Sequence, residues 1–237
     1  MIKIGKQLEK SLLIGLKDME AFMSQITGKI DGIILDVDGT LWDSTPIVAK
    51  AWTKAVRERG CTDMTITADM LKKLFGRTMT VIADLMLPQL DPQERYEVME
   101  LCCAYEHEFL ETDPCEVCYP GVIDTIKKLA GQVNVFIVSN CQSGYIELFL
   151  KKTGLEPYVT DIECYGNTRK SKGENLRLLV ERNELHHSVY VGDTQGDCDA
   201  SREAGLPFVF ASYGFGEADA RAARIIQFAD LLQLVQE

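Results

Sequence analysis

Short apolar runs alternate with longer amphipathic stretches along most of this chain. Gly32-Ile33-Ile34-Leu35-Asp36, Val133-Asn134-Val135-Phe136-Ile137-Val138, Ser188-Val189-Tyr190-Val191-Gly192 and Pro207-Phe208-Val209-Phe210-Ala211 are rich in β-branched and aromatic residues and give way to polar ones, and Asp161-Ile162-Glu163-Cys164-Tyr165 is a weaker fifth. Runs of this kind suit strands covered on both faces, as in a parallel sheet. Between them, 121–130, 144–153, 172–182 and 197–204 read as helices; the first begins after Pro120, the second stops near Gly154, and the last is stopped by Gly205 and Pro207. The alternation predicts an α/β fold with a Rossmann-like parallel-sheet core and right-handed crossovers.

One stretch breaks the rhythm. From Ser44 to Pro114 no strand pattern occurs, and helices are expected near 47–59, 68–75, 79–87 and 92–110. The expected organisation is therefore a catalytic core built from 1–43 and 115–237, with an α-helical domain, 44–114, inserted just after the first strand. Residues 1–28 are expected to form a helical extension, with Leu8, Leu12, Leu16, Met19 and Met23 at helical spacing. Its expected role is packing on the core, with an oligomer contact as the alternative; the oligomeric state itself is left open.

Composition narrows the class. The 237 residues carry a formal net charge of −11, which speaks against nonspecific binding to nucleic acid or anionic membranes. No apolar run approaches the roughly 18–20 residues that span a bilayer. Charged residues from Lys3 to Glu20 also interrupt any signal-like stretch. Eight cysteines without an export signal fit a reducing cytoplasm. Cys115-Glu116-Val117-Cys118 lacks a second ligand pair, and the three histidines do not supply one, so reduced, partly buried thiols are expected there.

The polar ends of the strands carry the candidate chemistry. Asp36, Asp38, Ser139, Asn140 and Asp193 all fall at carboxyl ends of expected strands, where doubly wound sheets bind ligands. Asp36 and Asp38 can point into one pocket, and Asp193 with Asp197 adds carboxylates from another strand, a donor set suited to Mg²⁺ with a substrate phosphate. Such a cluster repels phosphate unless cations offset it; Lys172 or Lys170, and Arg77, can supply them. Ser139 suits a phosphate oxygen, or equally a helix N-cap.

These residues resemble the motifs of the haloacid dehalogenase superfamily. Asp36-Val37-Asp38-Gly39-Thr40-Leu41 is similar to the first, Val138-Ser139-Asn140 to the second, Lys172 within Ser171-Lys172-Gly173 to the third, and Gly192-Asp193-Thr194-Gln195-Gly196-Asp197 to the fourth. The resemblance runs from about Ile30 to Gly216 and implies a phosphatase acting on a small phosphorylated metabolite. It implies Asp36 as nucleophile forming an aspartyl-phosphate, Asp38 as acid and then base, and Mg²⁺ held by Asp36, the Asp38 carbonyl, Asp193 and Asp197. Ser139, Asn140, Lys172 and Thr40 would bind the phosphoryl group. Many relatives have Lys-Pro at the third motif; here Lys170 and Lys172 compete, and Gly173 favours Lys172. Asp38 fits phosphatases and phosphomutases, whereas dehalogenases lack an acidic residue there. The helical insert is similar to the cap of the phosphoglycolate-phosphatase and β-phosphoglucomutase branch. Asp43-Ser44-Thr45-Pro46 resembles the phosphatase hinge, and Val48 stands where the mutases carry histidine. Phe75-Gly76-Arg77-Thr78 is similar to the cap loop that reaches toward substrate, making Arg77 a candidate for a substrate anion. A phosphomutase and a noncatalytic binding protein on the same fold are the alternatives.

Overall fold

A computed structural model describes residues 28–219 and 223–235. The amphipathic helix expected over 1–28 lies outside the described residues, apart from Gly28. Six parallel strands form one sheet: β1 (Gly32–Leu35), β2 (Asn134–Ser139), β3 (Asp161–Cys164), β4 (Ser188–Gly192), β5 (Phe208–Ala211) and β6 (Ala223–Ile225), in the order β3-β2-β1-β4-β5-β6. The order reverses at β1, which pairs with β2 on one side and β4 on the other, with Leu35 opposite both Ile137 and Val191. That switch point opens a crevice at the carboxyl ends of β1, β2 and β4.

The apolar runs are continuous because both sheet faces are covered. Ile33, Leu35, Val135, Ile137, Val189 and Val191 join one buried cluster; the alternate residues Ile34, Phe136, Val138 and Tyr190 join another. Side chains on a strand alternate between faces, so two clusters divided this way require apolar residues at every position. The larger cluster continues into the insert through Val48, Trp52, Ala55, Val98, Cys102 and Leu110, so insert and core share buried surface.

Between β1 and β2 lie α1 (Thr45–Glu58), α2 (Ala68–Lys72), α3 (Met79–Met86), α4 (Pro92–Thr112) and α5 (Val122–Ala130). The start of α4 is fixed by a capping box between Asp91 and Glu94 with Pro92 in the first turn. After β2 follow α6 (Tyr145–Thr153), the short α7 (Tyr165–Thr168), α8 (Lys172–Arg182) and α9 (Gln195–Ala204). Apart from α7, which was not expected, these helices fall within a few residues of the expected ones. Three details differ. Ser139 ends β2 rather than capping a helix, since Gly144 occupies the N-cap of α6. Tyr165 opens α7 instead of closing β3. β6 was not expected: three residues, one of them Arg224, give no readable alternation, and only pairing with β5 makes them a strand. None of the eight cysteines is in a disulfide; Cys115 is exposed and Cys118 half-buried.

Candidate active site

Asp36 follows β1 directly, and its backbone N–H donates to the Val191 carbonyl of β4 at 2.9 Å, extending the strand pairing to the first catalytic candidate. The chain then turns sharply. The Val37 carbonyl accepts from the N–H groups of Thr40, Leu41 and Trp42, and Gly39 takes φ +82°, a left-handed conformation suited to glycine. A Cβ at Gly39 would also collide with the Asp193 carboxylate. The turn therefore works only with glycine, and it packs the Asp36–Thr40 loop against the residue that ends β4.

Three carboxylates converge here. Oxygens of Asp36, Asp193 and Asp197 lie within 4.8 Å of one another, all buried. Lys172, buried at the first position of α8, donates to Asp36 Oδ1 at 2.9 Å and to Asp197 Oδ1 at 2.6 Å. Its place follows from Ser171, which caps α8 in a capping box with Glu174. Lys170 precedes that cap and is exposed. Asp197 is saturated: besides Lys172 it accepts from Tyr190 OH at 3.0 Å, from the Thr194 N–H at 3.0 Å and from Thr194 Oγ1 at 2.6 Å. It holds Lys172 in place and has little left to offer a cation. Asp193 differs. Its Oδ2 accepts from the Phe215 N–H at 2.6 Å, while Oδ1 is buried without a partner.

The charge balance is negative, and the carboxyls register it. Burial, opposed by Lys172 and reinforced by Asp197, raises Asp36 to about 7. Burial with the charges of Asp197 and Asp36 lifts Asp193 well above the usual carboxylate range. Asp197 is held low despite burial by Lys172 and its hydrogen bonds. Lys172 is raised, because Asp197 and Asp36 outweigh its desolvation. A divalent cation fits this donor set. It would relieve the carboxylate excess and partner the orphaned Asp193 oxygen, and all-oxygen ligands suit Mg²⁺.

Asp38 points elsewhere. Its Oδ1 accepts from Tyr145 OH at 2.7 Å, Ser44 Oγ at 3.0 Å and Trp42 Nε1 at 3.0 Å. Burial raises it to about 6, held from going higher by these three donors. Asp36 and Asp38 thus share a cavity but occupy different environments: one faces a buried ammonium, the other a ring of neutral donors. Ser139, Asn140, Arg77, Gly76, Glu106 and Tyr145 also line that cavity. Asn140 Nδ2 donates to the Gly76 carbonyl at 2.8 Å, joining core to insert, and its Oδ1 is buried without a partner. Thr40 Oγ1 is likewise buried and unpartnered.

The family model of haloacid dehalogenase-like hydrolases matches residues 33–211, three quarters of the chain and all four motifs. The chain belongs to this family. A phosphoglycolate phosphatase of Vibrio vulnificus is 28% identical over 208 residues, covering 81% of this chain and 87% of the relative. One of Synechococcus elongatus is 27% identical over 218 residues, covering 88% and 98%. A Haemophilus somnus protein described as a predicted phosphoglycolate phosphatase superposes with a TM-score of 0.76 at 21% identity, over 89% of this chain and 100% of that one. CbbY from Rhodobacter sphaeroides, solved in complex with phosphate, has a TM-score of 0.73 at 17% identity, over 87% and 99%. Likeness at that identity establishes the shared haloacid dehalogenase-like fold.

Several residues of this hydrolase's site escaped the sequence reading. Trp42, Ser44 and Tyr145 hold Asp38; Tyr190 braces Asp197; Trp52, Glu106 and Gln142 build the wall beyond. Trp42 and Ser44 lie close enough to Asp38 to have been suspected. Tyr145 is 107 residues away and carries no local signal.

Proposed function

We propose that this haloacid dehalogenase-like phosphatase is a Mg²⁺-dependent hydrolase of small phosphomonoesters that works in the cytoplasm through an aspartyl-phosphate on Asp36. The observation that carries the reading is the pairing of Asp36 and Asp38 on one cavity in environments that assign them opposite tasks. Lys172 at 2.9 Å opposes the effect of burial on Asp36, and a divalent cation beside it would complete the shift to the charged, nucleophilic form. Asp38, raised to about 6, is poised to carry a proton near neutrality. The three donors converge on its Oδ1, so the proton sits on Oδ2.

In the first step an Asp36 carboxylate oxygen bonds to phosphorus, the bond to the leaving oxygen breaks, and Asp38 delivers its proton to that oxygen. In the second, Asp38 takes a proton from water as the water oxygen bonds to phosphorus and the Asp36 oxygen leaves. Lys172, Ser139 and Thr40 bind the phosphoryl oxygens, Thr40 through a hydroxyl that is otherwise unpartnered, while Asn140, whose Nδ2 is bonded to the Gly76 carbonyl, bounds the phosphate site and offers its Oδ1 to a donor. Arg77 adds a cation for the substrate anion. Mg²⁺, held by Asp36, the Asp38 carbonyl and Asp193 with Asp197 behind them, would neutralise phosphoryl charge.

Residues 44–114 act as the cap of this enzyme. The space enclosed between insert and core is about 20 Å³, room for about one water. A phosphoester therefore enters only when the insert shifts, and closure then excludes solvent. The relatives named as phosphoglycolate phosphatases support phosphoglycolate-like esters as substrates, and sugar phosphates are the other class proposed. Nothing favours the mutase alternative: Val48 is fully buried in the hydrophobic cluster.

The test is phosphate release from an aryl phosphate with Mg²⁺, with chelator, and with Asp36→Asn. Release should need Mg²⁺ and Asp36; activity surviving both chelation and the substitution overturns the proposal.

A further inference from the structure

Glu106 occupies a position that the reaction just described does not use. It belongs to α4, in a buried stripe that also holds Val98, Cys102 and Leu110, and it is 3% exposed. A carboxylate in an apolar stripe is costly unless satisfied. Its satisfaction comes from two separate parts of the chain. Trp52 Nε1 of α1 donates to Oε2 at 2.7 Å, and Gln142 Nε2, in the core loop after β2, donates to Oε1 at 3.0 Å. All three side chains line the cavity that holds Asp36 and Asp38.

We propose that Glu106 reads the leaving group, and that the substrate is a phosphomonoester whose alcohol carries a second hydrogen-bond donor, a hydroxyl or an ammonium, rather than a carboxylate. This rests on the phosphatase reading above. Each Glu106 oxygen accepts one protein donor, and the carboxyl keeps a proton to give and a lone pair to offer, so the wall facing the departing alcohol presents fixed hydrogen-bonding sites. Trp52 and Gln142 hold the group from both the insert and the core, so the acceptor is fully placed only when insert and core are together.

The charge around the cavity argues the same way. Burial, with Asp38 adding to it, raises Glu106 to about 8, so near neutrality it is an uncharged donor and acceptor, which a hydroxyl that both donates and accepts matches. Arg77 is the cation among the described lining residues, and it is exposed. Lys172 is committed to Asp36 and Asp197. With the phosphoryl group drawing on those cations, none is left beside Glu106 to neutralise a second anion. A hydroxyl can accept from or donate to Glu106, and an ammonium would stabilise its charged form. This substrate class differs from phosphoglycolate, whose leaving group bears a carboxylate.

The experiment is kcat/KM for glycerol phosphate, ethanolamine phosphate, phosphoglycolate and ethyl phosphate with the full chain, its Glu106→Gln variant and its Glu106→Ala variant. The unsubstituted chain should prefer a donor-bearing ester to phosphoglycolate and to ethyl phosphate by tenfold or more, since sites built to pair a substrate donor discriminate by factors of about 10 upward. Glu106→Ala should collapse that ratio. Glu106→Gln should lower the ratio for the ammonium ester about tenfold and spare the hydroxyl ester if a hydroxyl is read, because the amide keeps an acceptor but no charge. Should the alanine variant fail to fold, Glu106→Leu, of similar volume and without a polar atom, takes its place and should collapse the same ratio. Preference for phosphoglycolate, or ratios unchanged in the variants while all rates fall together, overturns the proposal and leaves the phosphatase reading standing. No turnover of any ester, an aryl phosphate included, overturns the phosphatase reading and this proposal with it.

Discussion

Replacing Tyr145 by Phe removes one hydrogen bond from the proposed acid–base group, together with the 2.9 Å hydrogen bond between the Tyr145 hydroxyl and Ser44 Oγ. Tyr145 is 2% exposed, and its ring packs edge-on against Trp42 with centroids 5.5 Å apart, a contact that Phe keeps. Its hydroxyl donates to Asp38 Oδ1 at 2.7 Å and is the strongest influence opposing the effect of burial on that carboxyl. A hydrogen bond to a charged group is worth about 1.5–3 kcal/mol, and one pKa unit corresponds to about 1.4 kcal/mol. Trp42 and Ser44 remain and take up part of the loss, so the Asp38 carboxyl should rise by about one unit. The sign follows from charge: the lost donor stabilised the ionised form. In the first step Asp38 must hold a proton, so kcat/KM falls as pH rises through its pKa, and Tyr145→Phe should move that alkaline limb upward by about one unit. The assay is the pH profile of kcat/KM with an alkyl phosphate, whose poor leaving group needs the proton. An aryl phosphate, with its better leaving group, should respond less. An alkaline limb that stays in place, or moves down, refutes the assignment of Asp38 as the acid.

Other consequences follow from the same geometry. Lys172→Met leaves Asp36 and Asp197 buried without their shared cation, and should cost about 3–5 kcal/mol in chemical denaturation together with nearly all activity. Gly39→Ala forces a left-handed backbone onto a residue with a Cβ and drives that Cβ into Asp193. Folded protein should survive with the Mg²⁺ concentration for half-maximal activity raised about tenfold or more, since metal ligation tolerates little displacement. Glu106, at about 8 in the folded chain and near 4.5 when unfolded, binds more protons folded than unfolded between those values. Its contribution to stability is therefore full below pH 4.5 and is lost as pH rises through 8, so the melting temperature of Glu106→Gln should gain on that of the unsubstituted chain across this window.

The sequence revealed what is encoded locally. β1, β2 and β4 were readable because both-face burial leaves unbroken apolar runs, and Asp36, Ser139 and Asp193 were readable because each closes one of them. The competition between Lys170 and Lys172 also had a local answer. Ser171 and Glu174 form a capping box, which makes Lys172 the first residue of α8 and turns it inward. Glu106 was not readable. On α4 it looks like one more charge among Glu100, Glu108 and Glu111, and its burial depends on Trp52 and Gln142, 54 and 36 residues away. Tyr145 was hidden for the same reason, and β6 because its strand character comes from β5 alone.

The central claim is covalent: phosphorus passes through the Asp36 carboxylate. The direct measurement is to mix the Mg²⁺-loaded chain with substrate, quench in acid within one turnover, digest, and map the peptides by mass. A phosphoryl group on Asp36 is predicted, absent without substrate and absent in Asp36→Asn. Phosphate released at an undiminished rate by Asp36→Asn, or a phosphoryl group recovered on another residue while Asp36 stays unmodified, would contradict the account.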